Sequence, residues 1–181
     1  DILTRWLRSG VMEAHGVHPT LSPSMDIQVS SNFERLLFEL YDRNAAVLAD
    51  RMSELRAEGR VETGDTRLAT VTEVFDGHGV DDDATRAEIR RTYERTGVVL
   101  DPHTAVGVAA ARAVRRDPDT PMICLATAYP AKFPDAVEQS IGLRPELPEH
   151  LADLLDRPER FDSPPLDQAA LQDYVAAAVG A

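Results

Sequence analysis

The sequence predicts an α/β fold: a parallel βαβαβ sheet flanked by helices, with a helical appendage at its C-terminal end. Short apolar runs alternate with helical stretches through the centre of the chain: "VTEVF" (Val71–Phe75), "VVL" (Val98–Leu100) and "MICLAT" (Met122–Thr127). Each crossover between runs is long enough to return the chain parallel, and right-handed connections are expected. Beyond Leu147 such runs stop and only helical pieces remain.

Element by element, Ile2, Leu3, Trp6 and Leu7 share one helical face, and Gly10 is placed to end that helix. "VHPTLSPSMDIQVS" (Val17–Ser30), with two prolines and four hydroxyl residues, reads as an irregular loop. A strong helix follows. Ser31 and Glu34 have capping-box spacing, and Phe33, Leu36, Leu37, Leu40 and Tyr41 fall at i, i+3, i+4, i+7 and i+8. Asn44 to Glu58 is a second amphipathic helix closed by Gly59. In the centre, Asp83 to Thr96 reads as a helix stopped by Gly97. Pro102 to Arg116 reads as another, with Asp101 at the N-cap and Pro102 in the first turn. Phe133 to Ile141 is the helix after the third strand, and His150–Leu155 and Leu166–Val179 are helical pieces of the tail. The expected divisions are a mainly helical segment 1–60, an α/β segment 61–146 and a helical tail 147–181.

The chain has 181 residues, enough for one substantial core, and a net charge of −12. That charge argues against nucleic acid, whose phosphates demand clustered Lys and Arg. No window approaches the roughly 18 uninterrupted apolar residues of a membrane span. The single cysteine, Cys124, excludes an internal disulfide and is expected to be a small buried hydrophobe in a cytoplasmic protein. The chain opens at Asp1 without an initiator Met or a recognisable leader, so either processing or a longer parent is expected.

In an open parallel sheet, ligands bind beyond the carboxyl ends of the strands. Three segments fall there: "DGHG" (Asp76–Gly79), "DPHT" (Asp101–Thr104) and "TAYPAK" (Thr127–Lys132). Asp101, His103, Thr127 and Lys132, the only lysine, are therefore the candidates to line one crevice. Each also has a structural reading: Asp101 as a helix cap, His103 as locally bonded, Thr127 as a strand end, Lys132 as a solvated cation. His15 and His18 lack an acidic partner at ligand spacing, and "DGHGVDDD" lacks the alternating oxygen ligands of a calcium loop, so no metal site is expected. Glycine fingerprints of dinucleotide or phosphate loops, and the nucleophile elbow of serine hydrolases, are missing from the sequence.

Three long blocks in order, "PTLSPSMDIQVSSNFERLLFEL" (Pro19–Leu40), "VLDPHTAVGV" (Val99–Val108) and "LATAYPAKFPDAV" (Leu125–Val137), resemble the C-terminal part of threonine synthase. With "DILTRWLRSG" the resemblance covers most of residues 1 to about 142. It implies a pyridoxal-phosphate enzyme of the tryptophan-synthase-β-like fold (fold-type II), cytoplasmic and bacterial. The implied reaction converts O-phospho-L-homoserine and water to L-threonine and phosphate. The chemistry needs a Schiff-base lysine, an amide-rich loop for the cofactor phosphate, and a partner for the pyridine nitrogen. The resemblance places the first two upstream, in motifs this chain lacks, so the chain alone is expected to be inactive. It carries over the third to Thr127, as the cofactor-binding residue. It gives Lys132, His103 and Asp101 substrate-side roles, Lys132 by meeting the substrate phosphate, and leaves Ser24, Asp26, Ser31, Asn32 and Arg35 without firm roles. Where this chain has Tyr129 the family more often has His. A homodimer is a possible assembly. The rival readings are a related pyridoxal-phosphate lyase or dehydratase, a non-catalytic α/β binding module, and a nicotinamide-binding domain.

Overall fold

The computed structural model describes residues 1–180 and divides into two compact units, Asp1–Pro145 and Glu146–Ala181. In the first unit, α1 (Ile2–Ser9) ends at Gly10, whose φ of +71° is the left-handed conformation glycine adopts without steric cost. The chain runs directly into β1 (Val11–Glu13), which pairs antiparallel with β2 (Arg60–Glu62), Met12 opposite Val61. Between the strands lie a loop, a 3-10 turn at Ser31–Phe33, α2 (Glu34–Leu40) and α3 (Ala45–Glu58). The Asn44 carboxamide accepts the Val47 N–H to start α3, and Gly59 closes it. α4 (Asp65–Thr72) follows β2. These elements bury one core of Ile2, Trp6, Met12, Leu37, Tyr41, Met52, Leu55, Val61 and Val71. Trp6 is its centre: its ring meets Phe33 edge-on at 4.6 Å, and its indole N–H donates to the Thr63 hydroxyl at 2.7 Å.

A second cluster joins α5 (Asp82–Thr96), α6 (Pro102–Val114) and α7 (Pro134–Ile141) around Ile89, Ala105, Ala136 and Val137. Asp81 caps α5 through the Ala84 N–H, so the helix starts one residue earlier than the Asp83 expected from sequence. Polar ties hold the three helices. Buried Glu88 accepts from the Arg112 guanidinium on α6 and from the Thr92 hydroxyl, both at 2.9 Å, and the Arg90 guanidinium donates to the Ser140 carbonyl at 2.9 Å. The second unit contains two 3-10 turns and α8 (Gln168–Val179), started by Asp167.

The predicted parallel βαβαβ sheet is not formed among the described residues, whose sheet is the two-stranded antiparallel pair β1–β2. "VTEVF" begins inside α4, where Leu68 and Val71, three apart, both face the core. The segments 98–100 and 122–127 have no regular structure. A strand is defined by its neighbour's hydrogen bonds, and no described segment offers either run a partner. Ile123 and Leu125 are 83% and 77% exposed, so the apolar character that suggested a buried strand finds no cover among the described residues. Cys124, expected to be buried, is exposed for the same reason. The capping box is corrected as well: Ser31 lies inside the 3-10 turn, and α2 starts at Glu34 without a side-chain cap. β1, β2 and α4 were not anticipated, the strands because three residues with charged neighbours leave no alternation to read.

Candidate functional site

The site is built on the first turn of α6. "DPH" starts this helix for local reasons: Asp101 is extended at the N-cap (φ −78°, ψ 162°), and Pro102 brings a helical φ where no N–H is needed. Asp101 Oδ1 accepts the His103 N–H at 2.9 Å and, more weakly, the Thr104 N–H at 3.4 Å. Asp101 is only 1% exposed, so its second oxygen also has to be satisfied inside the protein. The Thr104 hydroxyl does this, donating to Oδ2.

His103 is likewise buried and bonded at both ring nitrogens. Nδ1 lies 3.1 Å from Asp101 Oδ1, and Nε2 lies 3.2 Å from the Ser24 backbone nitrogen. An amide can only donate, so Nε2 is the acceptor and Nδ1 carries the proton toward the carboxylate. The tautomer is thus set by the Ser24 amide. The ring stacks at a tilt on Phe133, with centroids 4.7 Å apart, so the residue just before α7 also leans on this cluster. Ser24 belongs to the Pro23–Met25 3-10 turn, and Asp26 holds the same loop by accepting the Thr20 N–H and hydroxyl, each at 2.7 Å.

Thr127 meets the cluster from the third apolar run. Its N–H donates to Thr104 Oγ1 at 3.0 Å, and the two hydroxyl oxygens are 3.4 Å apart. Thr127 itself is exposed. A threonine tied through its backbone yet exposed is suited to offer one hydroxyl to a ligand. Lys132 is exposed at the end of the 3-10 turn Pro130–Lys132, and its ammonium forms no ion pair among the described residues.

The structure therefore brings Asp101, His103 and Thr127 into one hydrogen-bonded cluster and leaves Lys132 five residues farther along the chain on the surface. Asp101 and His103 have all their side-chain polar atoms in hydrogen bonds to protein partners. Thr104 was missed. It is the third residue of the helix, the position from which a side chain turns back to the N-cap, so the D-x-x-T spacing carried the signal.

The comparisons agree with one another. The family model described as "Threonine synthase, C-terminal" matches residues 104–175, a stretch that starts at Thr104 and includes Thr127 and Lys132. The threonine synthase of Pseudomonas aeruginosa is 46% identical over 177 residues, covering 97% of this chain and 38% of its own length. A crystal structure of pyridoxal-phosphate-bound threonine synthase from Brucella melitensis superposes with a TM-score of 0.88 at 42% identity, covering 100% of this chain and 39% of that one. The yeast threonine synthase structure gives 0.82 at 32% identity, covering 99% of this chain and 40% of its own. The chain thus spans about two-fifths of the length of the relatives it matches. A whole-chain backbone match at such identity, together with a family model that takes in Thr104, Thr127 and Lys132, supports a C-terminal threonine synthase fragment.

Proposed function

We propose that this chain is the C-terminal portion of a threonine synthase, an enzyme that converts O-phospho-L-homoserine and water to L-threonine and phosphate with pyridoxal phosphate, and that its contribution to the cofactor site is the Thr127 hydroxyl. The observation that carries this reading is the tie between Thr127 and Thr104, which holds the Thr127 backbone while the residue stays exposed. The solved neighbour from Brucella melitensis is described as bound to pyridoxal phosphate, and at 42% identity it supports the same group here.

When bound, the cofactor supplies an electron sink for cleavage at the substrate's amino-acid carbons. Thr127 fits the role of partner to the pyridine nitrogen. A hydroxyl is neutral at every working pH, so it can hydrogen-bond the nitrogen without fixing a proton there, as a carboxylate would. Asp101 and His103 hold the floor beneath it. Lys132, in the same family-matched stretch, is assigned to the substrate phosphate, which it attracts as a point charge. The segments 98–100 and 122–127 are further proposed to enter a parallel sheet with strands from the remaining length of the protein. Their exposed apolar side chains support this, since an uncovered apolar edge favours pairing.

The cofactor-linking lysine and the phosphate loop belong to motifs outside this sequence, so the isolated chain mixed with pyridoxal phosphate is expected to develop no enzyme-type visible absorbance. The decisive test is Thr127→Val in the full-length enzyme. Pyridoxal-phosphate affinity and turnover of O-phosphohomoserine are both expected to fall, by roughly tenfold or more for loss of one hydrogen bond to a charged or strongly polar ring. Unchanged affinity and turnover would remove Thr127 from the cofactor site. In the same protein Lys132→Ala is expected to raise KM with kcat largely kept; an unchanged KM would return Lys132 to solvent. Turnover of threonine in place of O-phosphohomoserine would make the enzyme a dehydratase.

A further inference from the structure

We infer that Thr104 is a positioning residue for Thr127: oriented by Asp101, its hydroxyl fixes the Thr127 backbone and leaves the Thr127 hydroxyl proton for the ligand. This inference rests on the reading of Thr127 as the cofactor-ring partner and deepens it.

The argument is a count of protons and lone pairs. A threonine hydroxyl has one proton and two lone pairs. The Thr104 proton is committed to Asp101 Oδ2, because an ionised carboxylate can only accept and this one is walled off from water. What Thr104 presents toward Thr127 is therefore lone pairs. One of them takes the Thr127 N–H at 3.0 Å. Across the 3.4 Å gap between the two hydroxyl oxygens, Thr104 has no proton left to give, so Thr127 can only be the donor there. At that length the bond is weak, and an unprotonated ring nitrogen at ordinary hydrogen-bond distance is the better acceptor. Asp101 thus sets the direction of the whole chain: the Thr104 hydroxyl donates to the carboxylate and only accepts from Thr127, whose proton is held by nothing stronger than the 3.4 Å contact until a better acceptor is bound.

A second observation makes Thr104 specific. Among the described residues, every hydrogen bond recorded for residues 121–127 that reaches α6 ends on the Thr104 hydroxyl, and 121–127 has no strand partner in the sheet. His103, between Asp101 and Thr104 in sequence, locks the same turn to the Ser24 amide from the other side. Nothing else described holds the Thr127 amide in register with the helix.

The test uses the full-length enzyme stripped of cofactor and titrated with pyridoxal phosphate. Thr104→Val keeps the shape and loses the hydroxyl; Thr104→Ser keeps the hydroxyl. Thr104→Val is expected to weaken cofactor binding about tenfold, the loss that one buried hydrogen bond represents, and to shift the absorbance maximum of the bound cofactor. Thr104→Ser is expected to stay within about twofold of the parent and to restore the spectrum. The double variant Thr104→Val with Thr127→Val is expected to bind no more weakly than Thr127→Val alone, because a residue that acts through another has nothing left to position. Where far-UV circular dichroism shows that Thr104→Val has not folded, Thr104→Ala, which removes the hydroxyl without adding bulk, is read in its place. Parent-like affinity and spectrum in the hydroxyl-less variant overturn the inference, and so does full additivity with Thr127→Val. Parent-like affinity in Thr127→Val overturns the reading beneath it instead, and the two failures are told apart by which single variant is silent.

Discussion

Replacing Asp101 by alanine removes a carboxylate that serves four donors from a site that is almost fully buried. Losing the N-cap alone costs about 1 kcal/mol. The larger loss is the desolvation penalty of the groups left behind. The Thr104 hydroxyl and the His103 ring N–H would each lack a partner, at about 1–3 kcal/mol apiece. These losses share one carboxylate and are not independent, and removing a buried charge returns part of its own desolvation cost. A net destabilisation of about 3 kcal/mol is expected. Asp101→Asn discriminates among the contributions. Asparagine is as good an N-cap as aspartate, so the backbone amides and His103 keep their acceptor. Its amide, however, faces the Thr104 hydroxyl with a donor, and Thr104 has to turn its proton away, toward Thr127. About 1 kcal/mol is expected for that reversal. Urea unfolding followed by far-UV circular dichroism gives both numbers as shifts of midpoint at constant slope. Asp101→Ala costing under about 1 kcal/mol, or Asn costing as much as Ala, would refute the account of a carboxylate that caps and orients at once.

Two further predictions follow from particular contacts. Arg112→Ala leaves the buried Glu88 carboxylate with the Thr92 hydroxyl alone; because Arg112 is itself partly exposed, a loss of about 2 kcal/mol is expected, and Glu88→Gln in that background should recover part of it in the same unfolding assay. In the second unit, the Asp162 carboxylate accepts from Tyr174 and holds its phenol above the usual value, first through the hydrogen bond and then through charge. A raised pKa means that the pair stabilises below about pH 10 and that its contribution is lost as pH rises through the folded-state value. Ultraviolet titration of Asp162→Asn should show one tyrosine ionising earlier than in the parent; an unchanged curve would mean the bond is not kept in solution.

How far the site could be read without coordinates depends on the range of the interactions that build it. Asp101 at the N-cap, Pro102 in the first turn and the glycine ends of α1, α3 and α5 are all satisfied within about four residues, and sequence spacing reports them directly. The resemblance of "TAYPAKF" singled out Thr127 as the expected cofactor partner, and the structure ties Thr127 to the α6 turn. Thr104 escaped notice. Its partners are Asp101, three residues away, and Thr127, twenty-three residues away, and only the second makes the first interesting. His103 looked available for substrate because nothing local uses its Nε2; the Ser24 amide that does lies seventy-nine residues earlier.

The sequence by itself determined where helices start and stop, which family the chain resembles, and which hydroxyl to suspect. Those are local or pattern-borne properties. Tertiary structure decided what the apolar runs become. The start of "VTEVF" was drawn into the end of a helix because Val71 could join Leu68 on the core side, while "MICLA" stayed irregular and uncovered, with Cys124 exposed in its middle. The physical reason is that a strand owes its existence to hydrogen bonds from a neighbour, and burial owes its existence to whatever lies on top; neither is encoded in the segment that needs it. The hydroxyl chain from Asp101 through Thr104 to Thr127 has the same origin, since its direction follows from a carboxylate that only the folded chain removes from water.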